Sequence, residues 1–510
     1  MRKCGTLTRK LISCVTKKIF SLGSLGFSVR YMLRANQRTD EAVSNSREVY
    51  GITLRTAYPA LIEAFLVALM GIISNIMVGS LGGTLGDDAI AGVGITGQPR
   101  MILLACVFSL NIGVTAVVAR RRGENNRDGA NATLRQGLII CLFIVVIMGT
   151  FGAVFARQLM LLAGAQEGTR ILEFATEFFR ITIIGFVFSS LGMVINAAQR
   201  GCGNTRISMY TNIIANLVSV SLNFLLITGR FGLPELGVRG AAIAMVTGNI
   251  TMFIVCVINA SKSDGFIRLS LKFPKNLASL ANLRKFRPKL FDKETLSGIA
   301  DVSASALVEQ LFMRIGFWVT VRLVAGLDTP EFPAITVYTI SMNLQNIMFA
   351  FGDGLSIASA SLVGRSLGAQ RPDMAIIYGK VSQRLAFIVA GGLFIVFMFG
   401  RYFFVGLFSD TPVVINMAAA VAVLIAVSAP FQIAQVVLTG SLRGAGDTKF
   451  VALQSFICIV FVRPGLTWLF CYPLGLGVMG AWVALTIDQS IRLMISFRRF
   501  TLGKWTTKKV

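Results

Sequence analysis

The chain alternates long apolar stretches with short polar segments that are rich in glycine and arginine. Twelve apolar stretches are long enough to cross the roughly 30 Å hydrocarbon core of a bilayer, which takes about 20 helical residues. They lie at residues 55–80, 92–119, 133–156, 174–198, 208–228, 240–261, 296–325, 335–363, 376–400, 412–439, 450–471 and 478–497. Because lipid cannot satisfy open backbone groups, and barrel-type alternation is missing, helices are expected. The pattern predicts an all-α polytopic membrane protein with twelve transmembrane helices.

Four pairs of short segments echo one another at a nearly constant offset. The clearest pair shares an arginine and a glycine turn, with Arg200 and Arg443 lying 243 residues apart. A second pair aligns Glu63 with Glu309. The pairs are "AQRGCGNTRI" (198–207) with "SLRGAGDTKF" (441–450), "PALIEAFL" (59–66) with "SALVEQLF" (305–312), "VARRRGENNRDGA" (118–130) with "VGRSLGAQRPDMA" (363–375), and "ELGVRGAAIA" (235–244) with "GLGVMGAWVA" (475–484). Four echoes in one order predict two six-helix repeats.

The repeat and the charge distribution predict five regions along the chain. These are a basic tail at 1–47, a first half at 48–261, a basic linker at 262–293, a second half at 294–500 and a tail at 501–510. The N-terminal tail fits either an interfacial amphipathic helix or a disordered segment. With an even number of helices in each, the halves run parallel, so a substrate site is expected between them near the bilayer midplane.

The basic residues are distributed unevenly between alternate loops. The chain is 54% hydrophobic and 14% charged, with a net charge of +25. If the N-terminus is inside the cell, the inside segments and their flanks hold 38 of the 49 Lys and Arg residues. By contrast, the outside loops 81–89, 326–332 and 471–477 have none. The positive-inside rule therefore predicts a plasma (inner) membrane protein with both termini cytoplasmic. Charge spread over many loops argues against nucleic-acid binding.

The composition also excludes several kinds of chemistry. Histidine is absent, which removes histidine metal sites and Ser-His or Cys-His catalysis. The eight cysteines form no CxxC motif, and no P-loop is present. "GLGVMG" (475–480) fits a dinucleotide motif but lies at the entry to an apolar helix, where close helix packing explains its glycines. We expect neither an enzyme nor a cofactor.

Three carboxylates within the apolar stretches are the sharpest functional signal. A charge at mid-bilayer costs about 2.5–3.5 kcal/mol, so Glu309, Glu63 and Asp353 must face a cavity, pair with a base or be protonated. Such a group can couple a proton or bind Na⁺, and it attracts a cationic substrate. The structural alternative is an ion pair. Arg314 lies five residues beyond Glu309, about 140° around the helix, so a direct pair between them is unfavourable.

Polar residues within the same stretches are candidates for lining a substrate cavity. With Arg314, the set comprises Ser74, Asn75, Asn216, Ser219, Asn223, Asn343 and Asn346. Together with Asn212, the members in the fifth stretch recur at steps of four, three and four, which places them on one helix face. Interhelical hydrogen bonding is an equally good explanation for any one of them.

Several of these segments together resemble the multidrug and toxic compound extrusion (MATE) family of bacterial type. They are "MGIISNIMVGSLG", "QRGCGNT", "LPELGVRGAAIA", "LVGRSLGAQRPD" and "LRGAGDTK", and the resemblance covers about 48–507. It implies a V-shaped exporter of two six-helix lobes that moves organic cations against Na⁺ or H⁺ by alternating access. Many members carry an aspartate where this chain has Ser74 and an Asn/Asp pair where it has Ser219 and Asn223, whereas the glutamate expected in the seventh helix is kept as Glu309.

The sequence thus predicts an ion-coupled antiporter that exports amphipathic organic cations or drugs. Coupling to Na⁺ or H⁺ is expected to centre on Glu309, with Glu63 as the second candidate and Na⁺ binding possible at Glu309. The expected partners are small cationic substrates and membrane lipid, with no nucleic acid, and the chain is expected to act as a monomer. The alternative is a flippase for a lipid or lipid-linked precursor, which a basic cavity would favour.

Overall fold

The protein is described here by a computed structural model. It describes residues 32–33, 46–79, 83–227, 236–261, 265–268, 292–329, 334–408 and 411–508, without side chains at 68, 71–79 and 83–91. Most of the predicted tail at 1–47 and of the predicted linker at 262–293 therefore lies outside the described residues. So do the side chains of Ser74 and Asn75.

Each predicted apolar stretch falls on one long helix, in chain order. The helices are α1 Ser46–Gly79, α2 Gly83–Gly123, α3 Arg127–Val154, α4 Arg170–Gly201, α5 Thr205–Leu226, α6 Gly237–Ser261, α7 Lys293–Ala325, α8 Ala334–Gly368, α9 Pro372–Gly406, α10 Pro412–Gly444, α11 Thr448–Cys471 and α12 Val478–Leu502. Within the described residues, ten are long and apolar enough to cross a membrane, and α1 and α7 have 34 and 33 residues. The all-α polytopic prediction is confirmed.

The helix starts show why the chain breaks where it does. The side chains of Asn126 and Asp292 cap α3 and α7 by accepting hydrogen bonds from backbone N–H groups. Proline begins α9 and α10. Asn204 and Asp447 occupy the predicted positions just before α5 and α11, but their side chains make no cap hydrogen bond. Asp447 instead accepts hydrogen bonds from Arg499 of α12, at 2.7 and 3.2 Å.

The repeated glycine motif forms the same turn twice. Gly203 follows α4 with φ +82°, and Gly446 follows α10 with φ +85°. This left-handed conformation favours glycine because it has no Cβ. Both turns reverse the chain at one end of the bundle, together with the basic loops 120–128 and 364–373. We call this the basic end.

The first half (α1–α6) and the second half (α7–α12) contact one another mainly through α1 with α8, α2 with α7, and α2 with α8. Closest approach occurs where α2 and α8 reach the basic end. A Cβ added at Gly123 would overlap the carbonyl oxygen of Arg365, and one added at Gly368 would overlap that of Arg120. Beyond these glycines, Arg120 donates a hydrogen bond to the Lys508 carbonyl at 2.7 Å. The halves are therefore joined tightly at the basic end.

One helix departs from regular winding. In α11, residues Phe456–Val462 form a π-helix between two α-helical segments, Thr448–Ser455 and Arg463–Cys471. A π-helical turn accommodates an extra residue and occurs frequently at functional sites. It sets the direction in which Arg463, the next residue, leaves the helix.

Candidate functional site

The first half holds a buried glutamate–arginine pair. Glu63 of α1 is 8% exposed, and its Oε1 accepts hydrogen bonds from Ser208 Oγ at 2.9 Å and Asn212 Nδ2 at 2.8 Å. Arg200, from the last turn of α4, lies 3.3 Å from the same oxygen and also donates to Ser208. The carboxylate is thus held by three donors from two other helices.

The second half holds a matching pair. Glu309 of α7 is 3% exposed, and Arg443 Nη2 donates to its Oε1 at 2.5 Å. Ser455 of α11 donates to the same oxygen at 3.2 Å. Arg443 comes from the last turn of α10, immediately before the glycine turn.

The two sites are related residue by residue through the repeat. The aligned glutamates pair with the aligned arginines, and the third members, Asn212 and Ser455, also lie 243 residues apart. In each half the motif places the arginine before the turn and the polar donor two turns into the next helix. In the sequence, the positive-inside rule alone accounts for these arginines, as part of the basic inside segments. The repeat of both glutamate and arginine in the sequence is the signal that could have found the pair.

Asp353 of α8 is the third predicted carboxylate, and its setting differs. Among the described residues it makes no hydrogen bond or ion pair, and its side chain is exposed although it lies within electrostatic range of Arg443. Its neighbours on the helix are packed, Gly354 against Ala60 and Leu61 of α1 and Gly352 against Val436 of α10. The carboxylate therefore faces an open space inside the bundle.

A polar stripe on α8 leads to this carboxylate. Thr339, Asn346 and Asp353 are exposed, and Asn343 between them is half-buried. Steps of three, four and seven residues place these groups on one helix face. From Gly354 to Gly368, α8 is almost wholly buried against its neighbours. Since lipid would not solvate such a stripe, it lines a polar cleft whose floor is at Asp353.

A further group of charges is buried between α11 and α12. Asp488 Oδ2 accepts hydrogen bonds from Arg463 Nε at 3.1 Å and Nη2 at 2.6 Å, and Arg492 Nε lies 3.6 Å away. All three residues are less than 7% exposed. Asp488 thus forms a buried ion-pair group with two arginines. Its partner on α11 is distant in sequence, so spacing along one helix could not reveal it.

The remaining predicted residues are scattered. Of the α5 set, Ser219 packs against Gly248 of α6, Asn223 is 3% exposed and Asn216 is half-buried. Arg314 makes no hydrogen bond or ion pair with a described residue, and its helical position relative to Glu309 keeps the two apart, as the spacing indicates. The structure thus brings together Glu309, Arg443 and Asp353, whereas Asn346 and Asn343 lie about two and three turns along α8 from Asp353.

Chemically, this site offers an exposed carboxylate next to a neutralised one. Asp353 presents carboxylate oxygen atoms, the ligand type that hard cations bind, and a carboxylate can also take up a proton. Arg443 lies within range of both carboxylates but contacts Glu309. The arrangement can therefore hold a cation at Asp353. The net charge of Glu309, Arg443 and Asp353 changes when either carboxylate is neutralised.

Comparison with known proteins places this architecture. The MatE family profile matches the chain twice, over residues 59–225 and 305–469. A probable multidrug resistance protein NorM from Thermotoga maritima is 25% identical over 487 residues, covering 94% of this chain and 98% of that protein. The multidrug resistance protein MdtK from Photorhabdus laumondii is 24% identical over 473 residues, covering 89% and 95%.

Solved structures share the fold. An outward-facing multidrug resistance MATE family transporter has a TM-score of 0.76 and 19% identity, covering 89% of this chain and 97% of its own. A MOP superfamily transporter from Pyrococcus furiosus, described as having a binding pocket of reverse polarity, has a TM-score of 0.78 and 19% identity, covering 90% and 97%. The two profile matches together span more than half of the sequence, one in each half of the fold, and the chain belongs to the MatE family of membrane transporters.

Proposed function

We propose that this protein is a Na⁺- or H⁺-coupled antiporter that exports amphipathic organic cations by alternating access. The observation that carries the proposal is the polar stripe of α8, which ends at the exposed carboxylate of Asp353. A carboxylate within a membrane helix that faces a cleft without a bonded partner is suited to bind a cation reversibly. Relatives that are named as multidrug resistance proteins support export as the direction.

The packing of the halves suggests which way the cleft opens. The hydrogen bonds, ion pairs and close glycine contacts that join the halves among the described residues lie in the basic-end portion of the helices. The polar stripe occupies the other portion of α8. By the positive-inside rule the basic end is cytoplasmic, with both termini, in the plasma (inner) membrane. The cleft then faces the outside, as an exporter requires when it releases substrate.

Antiport follows if the coupling ion and the substrate exclude one another. A proton or Na⁺ on Asp353 neutralises the group that attracts the cationic substrate, so each promotes release of the other. Glu309 takes part through Arg443, whose single positive charge lies near both carboxylates. When Asp353 is neutralised, the second carboxylate near Arg443 is lost, which tightens the guanidinium on Glu309. This cycle needs one copy of the chain and no cofactor besides the ion.

Transport by the full chain in vesicles tests the proposal. Efflux of a cationic dye is measured with a Na⁺ gradient or a proton gradient imposed separately, for the wild type and for Asp353→Asn. The matched control is Glu177→Gln, which removes a partly exposed carboxylate paired with Arg239 outside the cleft. We expect wild type and the control to require one gradient and Asp353→Asn to lose the requirement. Efflux that ignores both gradients in the wild type would exclude ion coupling.

A flippase for an anionic lipid or lipid-linked precursor is the second candidate. Two arginines favour it, since neither Arg314 nor Arg100 has an ion pair with a described residue, and Arg100 donates to the sulfur of Met245. A buried cation without a partner is suited to an anionic group on a substrate. Competition decides between the two: anionic amphiphiles should inhibit dye efflux from a flippase, and cationic ones should inhibit it from an exporter.

A further inference from the structure

The ion-pair group of α11 and α12 does not balance its own charge. Arg463 and Arg492 share the single carboxylate of Asp488, which leaves one excess positive charge buried in the second half. The Arg463 guanidinium lies 5.6 Å from the Phe317 ring centre. This cation–π contact offsets part of the free-energy cost of burying the excess positive charge. A buried excess charge needs a nearby opposite charge to be tolerated.

That opposite charge lies on the coupling side of the second half. The pair Glu309–Arg443 and the carboxylate of Asp353 together carry one excess negative charge when both acids are ionised. Arg492 is within electrostatic range of Glu309. The six groups, three acids and three arginines, therefore sum to zero as one cluster.

Two adjacent residues of α11 connect the two parts physically. Gln454 donates to the Arg492 carbonyl at 2.7 Å and accepts from Ser496 at 2.9 Å. The next residue, Ser455, donates to Glu309. The π-helical segment begins directly after them and ends directly before Arg463. A displacement at Glu309 is thus transmitted to Arg492 and Arg463 through one short stretch of chain.

We infer that Arg492, balanced by Asp488 and Arg463, is a positioning group that stabilises the ionised coupling carboxylates and so sets the ion concentration at which they are loaded. The inference rests on the proposed ion coupling at Glu309 and Asp353 and adds three residues to it. None of the three touches the cleft, since all are buried. Their action is electrostatic and is transmitted through Glu309.

The other groups around Glu309 do not mask the electrostatic effect of the triad Arg463, Asp488 and Arg492. Arg443 of α10 contacts it, and Ser455 of α11 donates to it. Arg492 on α12 lies within electrostatic range of Glu309, and Asp353 on α8 lies within range of Arg443. Cys458, Arg463 and Asp488 are grouped around Arg492 rather than around Glu309. Between Arg100 and Arg120, α2 carries no charged residue, and α3 contributes its charges only at the basic end. The charge of the triad is therefore the variable that substitutions can change without touching the cleft.

Changing the charge in either direction gives opposite expected effects. Arg492→Gln removes a positive charge that favours the ionised carboxylates, so a proton or Na⁺ should bind more tightly and half-maximal efflux should need less ion. Asp488→Asn adds a net positive charge, so half-maximal efflux should need more ion. A neighbouring unit charge at an effective dielectric constant of about 20 shifts such a midpoint on the order of three- to tenfold.

The experiment measures dye efflux by the full chain in vesicles against proton and Na⁺ concentration. Besides the two single variants it includes Arg492→Lys, which keeps the charge, and the double variant Arg463→Gln with Asp488→Asn. The double variant leaves the net charge of the triad unchanged, so its midpoint should stay at the wild-type value even if its rate falls. We expect half-maximal efflux to need a lower ion concentration in Arg492→Gln than in the wild type, and a higher one in Asp488→Asn.

The outcomes separate this inference from the proposed function. If the wild type depends on an ion but both single variants lose rate at an unchanged midpoint, the triad is only structural and the inference fails. The same follows if the charge-neutral double variant shifts as far as the single ones. If Arg492→Gln is not recovered folded, Asp488→Asn decides alone, because its shift must be upward. A wild type indifferent to both ions overturns the proposed function and this inference together.

Discussion

Each half of the protein contains a buried glutamate–arginine pair, and the halves differ in the residues around that pair. Both bury a glutamate against the arginine of the repeated motif, with a polar donor from the following helix. At the repeat offset of 245, the position of Asp353 in the second half is taken by Phe108 in the first. At offsets of 240 and 243, the positions of Asp488, Arg492 and Arg463 are taken by Gly248, Met252 and Val220.

This difference indicates that the first half serves as a structural scaffold and that the proposed ion coupling belongs to the second half. In the first half, Gly248 lets α6 approach α5 closely, since a Cβ there would lie 2.9 Å from that of Ser219. In the second half, the same place holds an ion-pair group that needs electrostatic balance. A buried pair is therefore common to both halves, but among the described residues the charges proposed to respond to an ion surround the pair of the second half. The halves should respond differently to the same chemical change.

The largest expected difference is between Glu309→Gln and Glu63→Gln. Both variants strand a buried arginine and should lose comparable stability. Only Glu309→Gln also disturbs the group near Asp353, so gradient-driven efflux should fall about 100-fold or more, against about 3- to 10-fold for Glu63→Gln. Efflux rates normalised to folded protein in the membrane check this. Equal losses would show that the two pairs share one role.

At the basic end, by contrast, the halves should behave alike. Gly123→Val and Gly368→Val each place atoms where the crossing of α2 and α8 leaves no room. Each should hinder closure, lower efflux about tenfold and raise maleimide labelling of Cys202, which lies beside this crossing, in a chain lacking Cys4 and Cys14. Gly391→Val is the control, because nothing lies within 4 Å of its added Cβ. Unchanged labelling in both variants would mean that the crossing does not control access.

A smaller effect should distinguish the neutral donors. Ser455→Ala removes the hydroxyl that donates to Glu309, whereas Asn212→Ala leaves Glu63 its hydrogen bond from Ser208. Each hydrogen bond contributes about 1 kcal/mol, and the partner left with fewer donors should lose more. We expect the unfolding temperature to drop by about 1–2 °C for Ser455→Ala and by less for Asn212→Ala. Ser490→Ala, whose hydroxyl bonds only its own helix at Thr486, should change little.

The smallest effect concerns the helix caps. Hydrogen bonds from Thr295 hold the pKa of Asp292 below its ordinary value of 3.8. Its stabilising contribution is therefore complete above pH 3.8 and is lost as the pH falls through the lowered value. Asn126, the cap of α3, does not titrate. Asp292→Ala should cost about 0.5–1 kcal/mol at neutral pH and less as the pH falls through the lowered pKa of Asp292, whereas the cost of Asn126→Ala should not change with pH. Thermal unfolding at several pH values would show it.

Most of the fold could be read from the sequence, for a simple physical reason. A helix that crosses lipid must be apolar over about 20 residues, so each of the twelve helices can be recognised from its own stretch of sequence. The turns were equally local, since Gly203 and Gly446 adopt positive φ just where the repeated motif places them. The division into regions stays a prediction, as does the orientation in the membrane.

The candidate site was only partly predictable. The acids stood out because each is expensive in an apolar helix, but their partners come from helices far away in sequence. Arg200 and Arg443 end helices next to basic loops, where the positive-inside rule already accounts for their charge, so the sequence does not indicate their contact with the glutamates. The ion pair of Asp488 is hidden in the same way, because its partner Arg463 is brought near only by the packing of α11 on α12.

The π-helical segment of α11 makes one stretch of this protein sensitive to chain length. Because the π-helical turn holds one extra residue, deleting a single residue within Phe456–Val462 would restore ordinary winding and leave Arg463 in its place. Inserting a further residue would instead rotate Arg463 by about 100° relative to Gln454 and Ser455, away from Asp488. Substitutions at the outward-facing Ile457 and Phe461, which are 48% and 60% exposed, would leave that geometry alone. An insertion, more than a deletion or a point change, is what this segment should resist.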